Sequence, residues 1–261
     1  MHVAIEARRF KVGVQLEPQH TSMADLREAW RRADDLGVDS IWTWDHFRPV
    51  HGDVTGTHFE GWTQLAAMAV ETSSARIGVL VSCMSYRNPD LLADMARTVD
   101  HLSGGRVILG LGAGWYGDEY ADYGYHFGAA GERLDAFEQG IVRVKQRLER
   151  LVPGPVGPMP LLLGGGGERR TLRLVAEHAD AWNVVLSSPD EFLAKNKRLT
   201  AWCEQLGRDP RTVQRSVLIN DPAAFGRARD FVDAGAEHVM LAVGRPFSFE
   251  PVRELLRVAA S

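Results

Sequence analysis

Residues 88–112, NPDLLADMARTVDHLSGGRVILGLG, contain one helix and one strand in readable form. Asn88 stands at an N-cap position and Pro89 in the first turn, where a missing N–H costs nothing. Leu91, Leu92, Met95, Val99 and Leu102 recur at helical spacing as one apolar stripe, and Gly104 and Gly105 stop it. RVILGLG (106–112) follows, too uniformly apolar for a strand with one wet face. A strand that needs both faces covered, with helices on either side of it in the chain, belongs to a parallel sheet.

Working outward, the same alternation occurs eight times. The strand candidates are 10–16 (FKVGVQL), 40–44 (SIWTW), 76–82 (RIGVLVS), 106–112, 160–164 (PLLLG), 181–186 (AWNVVL), 215–220 (RSVLIN) and 238–243 (HVMLAV). Helices follow from about Met23, Gly61, Pro89, Gly131, Glu168, Pro189, Pro222 and Phe249. Eight such units in 261 residues predict an α/β protein of the (β/α)8 TIM barrel type, one domain over 1–261. VPGPVGPMP (152–160) is a stiff connector between the fourth helix and the fifth strand.

Composition excludes several function classes. At 45% hydrophobic and 25% charged the chain can bury a full core. With a net charge of −4 and scattered basic residues, nucleic acid and anionic membrane are not expected partners. The opening MHVAIEARRF has no apolar signal core, so a cytoplasmic protein is expected. Cys83 and Cys203 make neither a disulfide framework nor a zinc site. His51, Asp53, His58 and Glu60 invite a metal reading, but the first strand lacks the paired histidines of barrel metallohydrolases, so no metal is expected. None of the four lysines (Lys11, Lys145, Lys195 and Lys197) falls at an outgoing strand end, which argues against a Schiff-base aldolase.

Three stretches carry candidate chemistry. In SIWTWDHF (40–47) a strand leaves its sheet at Asp45 and His46, on the end of a parallel barrel where chemistry is done; a plain loop cap is the bland alternative. Gly112, Gly114 and Gly117 spell G-x-G-x-x-G after a strand, but the aromatics that follow read as a loop reaching about Gly131, not as the helix a dinucleotide site needs. Gly112 and Gly114 could still let a planar ligand approach the backbone. Gly164, Gly165, Gly166 and Gly167 join a strand directly to a helix, so four amides open onto a helix N-terminus, a geometry that binds anions; a flexible hinge is the alternative.

Three blocks, LGVDSIWTWDHF (36–47), ARIGVLVSCMSYRNPDLLADMARTVDHLSGGRVILGLGAGWYGDEYADYG (75–124) and PLLLGGGGERRTLRLVAEHADAWN (160–183), resemble the luciferase-like monooxygenase superfamily, in its branch of coenzyme F420-dependent oxidoreductases. The resemblance covers essentially the whole chain. It implies a barrel with a deazaflavin at the outgoing strand ends, a small organic substrate and a homodimer. FMN in an oxygen-using monooxygenase, and a non-catalytic F420 or flavin carrier, stay open as alternatives. Carried over by position, the resemblance sets His46 beside the reacting carbon as general acid. Asp45 falls at the ring's polar edge or orients His46. A non-proline cis peptide at Leu80–Val81 backs the ring, and Ser82 to Ser85 line the pocket. Gly112 and Gly114 lie against the ring system, and Gly164 to Gly167 hold the phosphate. Trp44, Trp115 and Tyr116 supply walls, and Arg169 and Arg170 meet the anionic tail. The short connector before Pro160 is expected to open the substrate face.

Overall fold

The computed structural model describes residues 8–261. The opening MHVAIEA, part of the stretch read as lacking a signal core, lies outside the described residues. The strands are β1 (Lys11–Leu16), β2 (Ser40–Thr43), β3 (Arg76–Val79), β4 (Ser82–Cys83), β5 (Val107–Gly112), β6 (Leu161–Gly164), β7 (Ala181–Val185), β8 (Gln214–Ile219) and β9 (His238–Val243). Every recorded ladder between them is parallel, and β1 pairs with both β2 and β9. β3 and β4 both pair with β5, so they are two halves of one stave and the sheet closes as an eight-staved barrel.

The helices are α1 (Met23–Asp35), α2 (Gly61–Glu71), α3 (Pro89–Ser103), α4 (Gly117–Tyr123), α5 (Ala130–Arg150), α6 (Thr171–His178), α7 (Pro189–Gln205), α8 (Ala228–Asp233) and α9 (Glu250–Ala260). Helix α3 begins as read, with the Asn88 side chain accepting from the Asp90 amide, and ends at Gly104 in the left-handed region. Its stripe needs correcting. Leu92, Ala93, Ala96 and Val99 are buried, while Leu91 and Leu102 stand in solvent. Adjacent leucines lie about 100° apart on a helix, so Leu91 and Leu92 cannot both face the sheet.

Alternation along the strands divides two apolar layers. Val12, Val14, Ile41, Val239 and Leu241 point outward into the helix-covered core. Trp42, Leu162, Leu218 and Met240 fill the barrel interior, so Trp42 is packing and not a pocket wall. Below them lies a buried polar cluster: the Trp42 indole N–H donates to Ser40 Oγ (2.6 Å), which is 2.9 Å from His238 Nε2. Burial pushes the His238 imidazole down to about 3. The unfolded chain therefore takes up this proton first as pH falls. The stability is fully present above the ordinary histidine value and is lost as pH drops toward about 3. Between pH 7 and pH 5 the loss should be about 2 kcal/mol. Urea midpoints should record it, and His238→Gln should flatten that slope.

The connector 152–160 corrects another expectation. Asp100 near the end of α3 accepts from the Val156 and Gly157 amides, and the connector leads into the incoming end of β6. Helix-to-strand connections lie on the face opposite a barrel's chemistry. Its length therefore does not shape the substrate face.

Candidate active site at the outgoing strand ends

All eight staves contribute to a cavity of about 620 Å³ at the outgoing end of the barrel. Its floor is the break between β3 and β4, where the Leu80–Val81 peptide is cis, as the resemblance implied. Val81 projects toward the next two staves, and glycines make room for it. A Cβ on Gly112 would stand 2.6 Å from Val81 Cγ2, and one on Gly164 2.9 Å from both Val81 methyl carbons. These glycines thus serve the packing of the floor as well as lining the cavity. Gly114 also lines it, but with φ +78° and Tyr120 Oη 2.0 Å from an added Cβ its glycine is demanded by the backbone and by Tyr120.

Asp45 and His46 reach the cavity with Trp44, three consecutive residues just past the outgoing end of β2. Asp45 does not orient His46. Its carboxylate is buried, accepts two bonds from Arg87 (2.6 and 2.8 Å) and one from the Cys83 amide (2.9 Å). Burial pushes this carboxyl up from its ordinary value, against the pull of Arg87. The partner of His46 is Glu119, whose Oε2 lies 2.8 Å from His46 Nδ1. Glu119 also accepts from Tyr86 Oη (2.7 Å), the Phe47 amide (2.5 Å) and the Arg48 amide (3.2 Å). Burial works to raise this carboxyl, yet His46, the Phe47 amide and Tyr86 together hold it below the usual carboxylate range. An ionised Glu119 accepts only, so Nδ1 carries the proton and Nε2 is left for the cavity. Burial, and then the bond to Glu119, pushes the Tyr86 phenol up.

Glu119 lies on α4, a helix inside the stretch 112–131 that reads as loop from sequence. A helix therefore does open at Gly117, but it is only 7 residues long and its role is to carry Glu119 and Tyr120 inward. Trp44 is held by its indole N–H donating to His58 Nε2 (2.8 Å), and burial pushes that imidazole down to about 4. Trp115 is exposed and stacks on Tyr116 with centroids 5.1 Å apart, both near the His46 ring.

Of Ser82 to Ser85, only Cys83 lines the cavity. Ser82 is turned away: its hydroxyl accepts the Trp62 indole N–H (3.0 Å) from α2, because side chains alternate across the strand. Burial pushes the Cys83 thiol up to about 11, which makes it a poor nucleophile.

The glycine run sits at the cavity with three of its four members; Gly167 is not on the wall. The amides are not all open, since Gly165 donates to the Asn183 carbonyl (2.9 Å). Helix α6 starts at Thr171, past a turn, so its first-turn hydroxyl joins Gly164, Gly165 and Gly166 at the wall. Arg170 is bound elsewhere, to Asp135 (2.6 Å), Glu138 and the Gly131 carbonyl. Arg169 remains exposed. Sequence reading missed Glu119, Tyr86, Glu17 and Thr171. Among the described residues no cluster of three or more His, Cys, Asp or Glu could hold a metal, and no helix is long and apolar enough to cross a membrane.

Comparison with known proteins agrees with the barrel fold. An F420-dependent secondary alcohol dehydrogenase, solved with an F420–acetone adduct, superposes with a TM-score of 0.85 at 17% identity, covering 97% of this chain and 99% of that one. The FMN-bound oxygenating component of 3,6-diketocamphane monooxygenase from Pseudomonas putida superposes at 0.75 with 12% identity, covering 97% of each. Identities this low speak for the fold alone. Among curated relatives, an F420-dependent glucose-6-phosphate dehydrogenase of Amycolatopsis mediterranei is 33% identical over 52% of this chain and 41% of its own length. An F420-dependent hydroxymycolic acid dehydrogenase of Mycobacterium tuberculosis is 28% identical over 84% of this chain and 66% of its own. The chain spans about half the length of the first curated relatives it matches. The luciferase-like monooxygenase profile matches residues 8–249, and the chain belongs to that family.

Proposed function

We propose that this protein is an F420-dependent oxidoreductase that moves a hydride between the deazaflavin and a small organic substrate. The observation that carries the reading is one cavity joining an apolar floor at Val81, a glycine loop that opens onto α6, and His46 backed by a buried carboxylate. Relatives named for F420 support the choice of cofactor.

The residues suit the group. Leu80, Val81 and Gly112 offer a flat apolar bed, and Gly166 with the Thr171 hydroxyl offers neutral donors to a phosphate. When bound in reduced form, F420 supplies a hydride from its ring carbon. His46 then delivers a proton from Nε2 to the substrate atom that gains charge, or removes one in the reverse direction. Glu119 keeps the proton of the neutral ring on Nδ1 and balances the charge of the doubly protonated ring. Trp44 and Trp115 exclude water around the transfer.

The FMN monooxygenase reading has its support in a shared fold. Parallel titrations with F420 and FMN decide between them: tighter F420 binding is expected. Tighter FMN binding, with oxygen consumed on reduction in the presence of substrate, would move the protein to the monooxygenase reading. Hydride transfer from bound, reduced F420 to a panel of enones and nitro compounds separates an enzyme from a carrier.

Gly166→Val tests the loop. Gly165, at φ +124°, would be strained by any side chain, whereas Gly166 is not in the left-handed region and the atoms nearest its added Cβ are side-chain carbons of Lys195 and Val184, at 3.2 to 3.3 Å. The variant should fold and lose roughly tenfold in F420 affinity, the scale of one charge-assisted hydrogen bond. Unchanged affinity in the folded variant would remove the loop from the phosphate site.

A further inference from the structure

Asn183 on β7 is 3% exposed, yet it forms part of the cavity wall. Val184, Leu218 and Ala242 on the same wall are apolar. A buried amide in such surroundings is stable only where its hydrogen bonds are made.

Half of that requirement is met inside the barrel. Ser216 Oγ lies 2.7 Å from the Trp182 carbonyl oxygen, which has no proton to give, so the hydroxyl proton points there. Toward Asn183 the hydroxyl can then only accept, and the atom that faces it at 3.1 Å is the amide nitrogen. The same nitrogen stands 3.9 Å from the Met240 sulfur, a weak acceptor. These contacts fix the amide with Nδ2 toward the barrel interior and Oδ1 turned away from Ser216. Among the described residues no donor meets Oδ1, and the side-chain polar atoms buried without a partner are Arg76 Nε and Arg97 Nε, so Oδ1 opens onto the cavity.

The place of this oxygen is set by the sheet. Asn183 pairs in register with Gly164, and its main-chain carbonyl accepts from the Gly165 amide (2.9 Å). Neighbouring strands lie about 4.8 Å apart, so Asn183 stands beside the glycine loop. Gly164 is also where Val81 packs, since a Cβ there would lie 2.9 Å from both Val81 methyl carbons. Asn183 therefore borders the seam between the apolar bed and the loop. Gln15, the other buried amide on the wall, belongs to the bed itself: from β1, its Nε2 donates to the Leu80 carbonyl (2.9 Å).

We propose that Asn183 Oδ1 accepts a hydroxyl of the polyol chain that joins the ring of F420 to its phosphate. The inference rests on reading this cavity as the F420 site, with the ring on the Val81 bed and the phosphate at the glycine loop. The stretch between them is then the chain, whose hydroxyls are the donors that an oxygen able only to accept requires. A chain without hydroxyls would cover Oδ1 and leave it unpaired, at a cost in affinity. Asn183 thus selects for a hydroxylated linker, a role that neither the bed nor the loop can perform.

Two ligands test this: a deazaflavin carrying a ribityl phosphate chain, and the same ring carrying a phosphopentyl chain that lacks the hydroxyls. Ring and phosphate are common to both, so the difference reports the chain. Affinities are read from quenching of ring fluorescence at equilibrium, with F420 titrated alongside. Wild type should bind the ribityl ligand roughly tenfold more tightly than the pentyl one. Asn183→Leu, close in volume, should bring the two within about twofold by weakening the ribityl ligand alone, and the smaller Asn183→Ala should do the same. A preference that survives in either folded variant overturns the proposal. So does an equal loss for both ligands, which would make Asn183 a packing residue, and so does a wild type indifferent to the chain. Wild type that fails to bind F420 overturns the cofactor reading and this proposal together, whereas F420 binding with a chain preference untouched by the substitutions overturns the proposal alone.

Discussion

His46→Asn is expected to lower turnover of the F420-loaded protein by roughly 10²- to 10⁴-fold while leaving F420 affinity within a few fold, because it deletes one proton-carrying atom and little else. Asparagine is chosen for its shape. Its amide nitrogen falls close to the place of the imidazole Nδ1, so it can still donate to Glu119 Oε2, which now lies 2.8 Å from His46. What disappears is Nε2, the nitrogen left for the cavity. His46 also meets Trp115 and Tyr116 edge-on, at 5.7 and 5.9 Å, and losing those contacts is a small effect beside the loss of a general acid. Single-turnover transfer from saturated, reduced protein measures the chemistry, and equilibrium titration measures binding. A variant that binds F420 weakly but transfers at the normal rate once saturated would make His46 a binding residue and end its role as proton donor.

The barrel was legible because its strands are mostly apolar on both faces and several of its helices carry their own punctuation. The Ser22, Asn88 and Ser188 side chains cap as their positions suggest. Asp45 and His46 were legible for a related reason: they follow directly on the outgoing end of a strand, the end of a parallel barrel where sites are built. Partners were not legible. Glu119 is 73 residues from His46 and sits on a short helix crowded with tyrosines, where local pattern gives no reason to prefer it over Asp118 or Asp122. Arg87 could equally have been a solvated charge before a helix, yet it closes on Asp45, 42 residues away. Ser82 failed differently. It lies next to the cis bond, but the strand's alternation turns it to α2, so proximity in sequence gave the wrong face. Arg170 was assigned by nearness to the glycine run, and the acidic face of α5 captured it.

Glu119→Ala is expected to cost about 3–5 kcal/mol of stability, the scale of breaking one side of a buried charged network, read as a lowered urea midpoint at pH 7. The reason is in the donors it would abandon. Glu119 is fully buried and accepts from His46, Tyr86 and the amides of Phe47 and Arg48. Glu119→Gln keeps the volume and one acceptor oxygen, so its loss should be smaller, about 1–3 kcal/mol. Its effect on chemistry should still be large, because the amide NH2 can face His46 Nδ1, force that nitrogen to accept and move the ring proton to Nε2. The pH dependence separates charge from packing. The folded carboxyl lies below its ordinary value, so its stabilisation is complete above the usual carboxylate range and is lost as pH falls through the folded value. Wild type should therefore lose stability across that acid range more steeply than Glu119→Gln, which has no proton to take up there. Equal slopes in the two proteins would mean that folding leaves the Glu119 carboxyl at its ordinary value, and a shallower wild-type slope would mean that Glu119 is neutral in the folded state, in which case the tautomer assigned to His46 would fall with it.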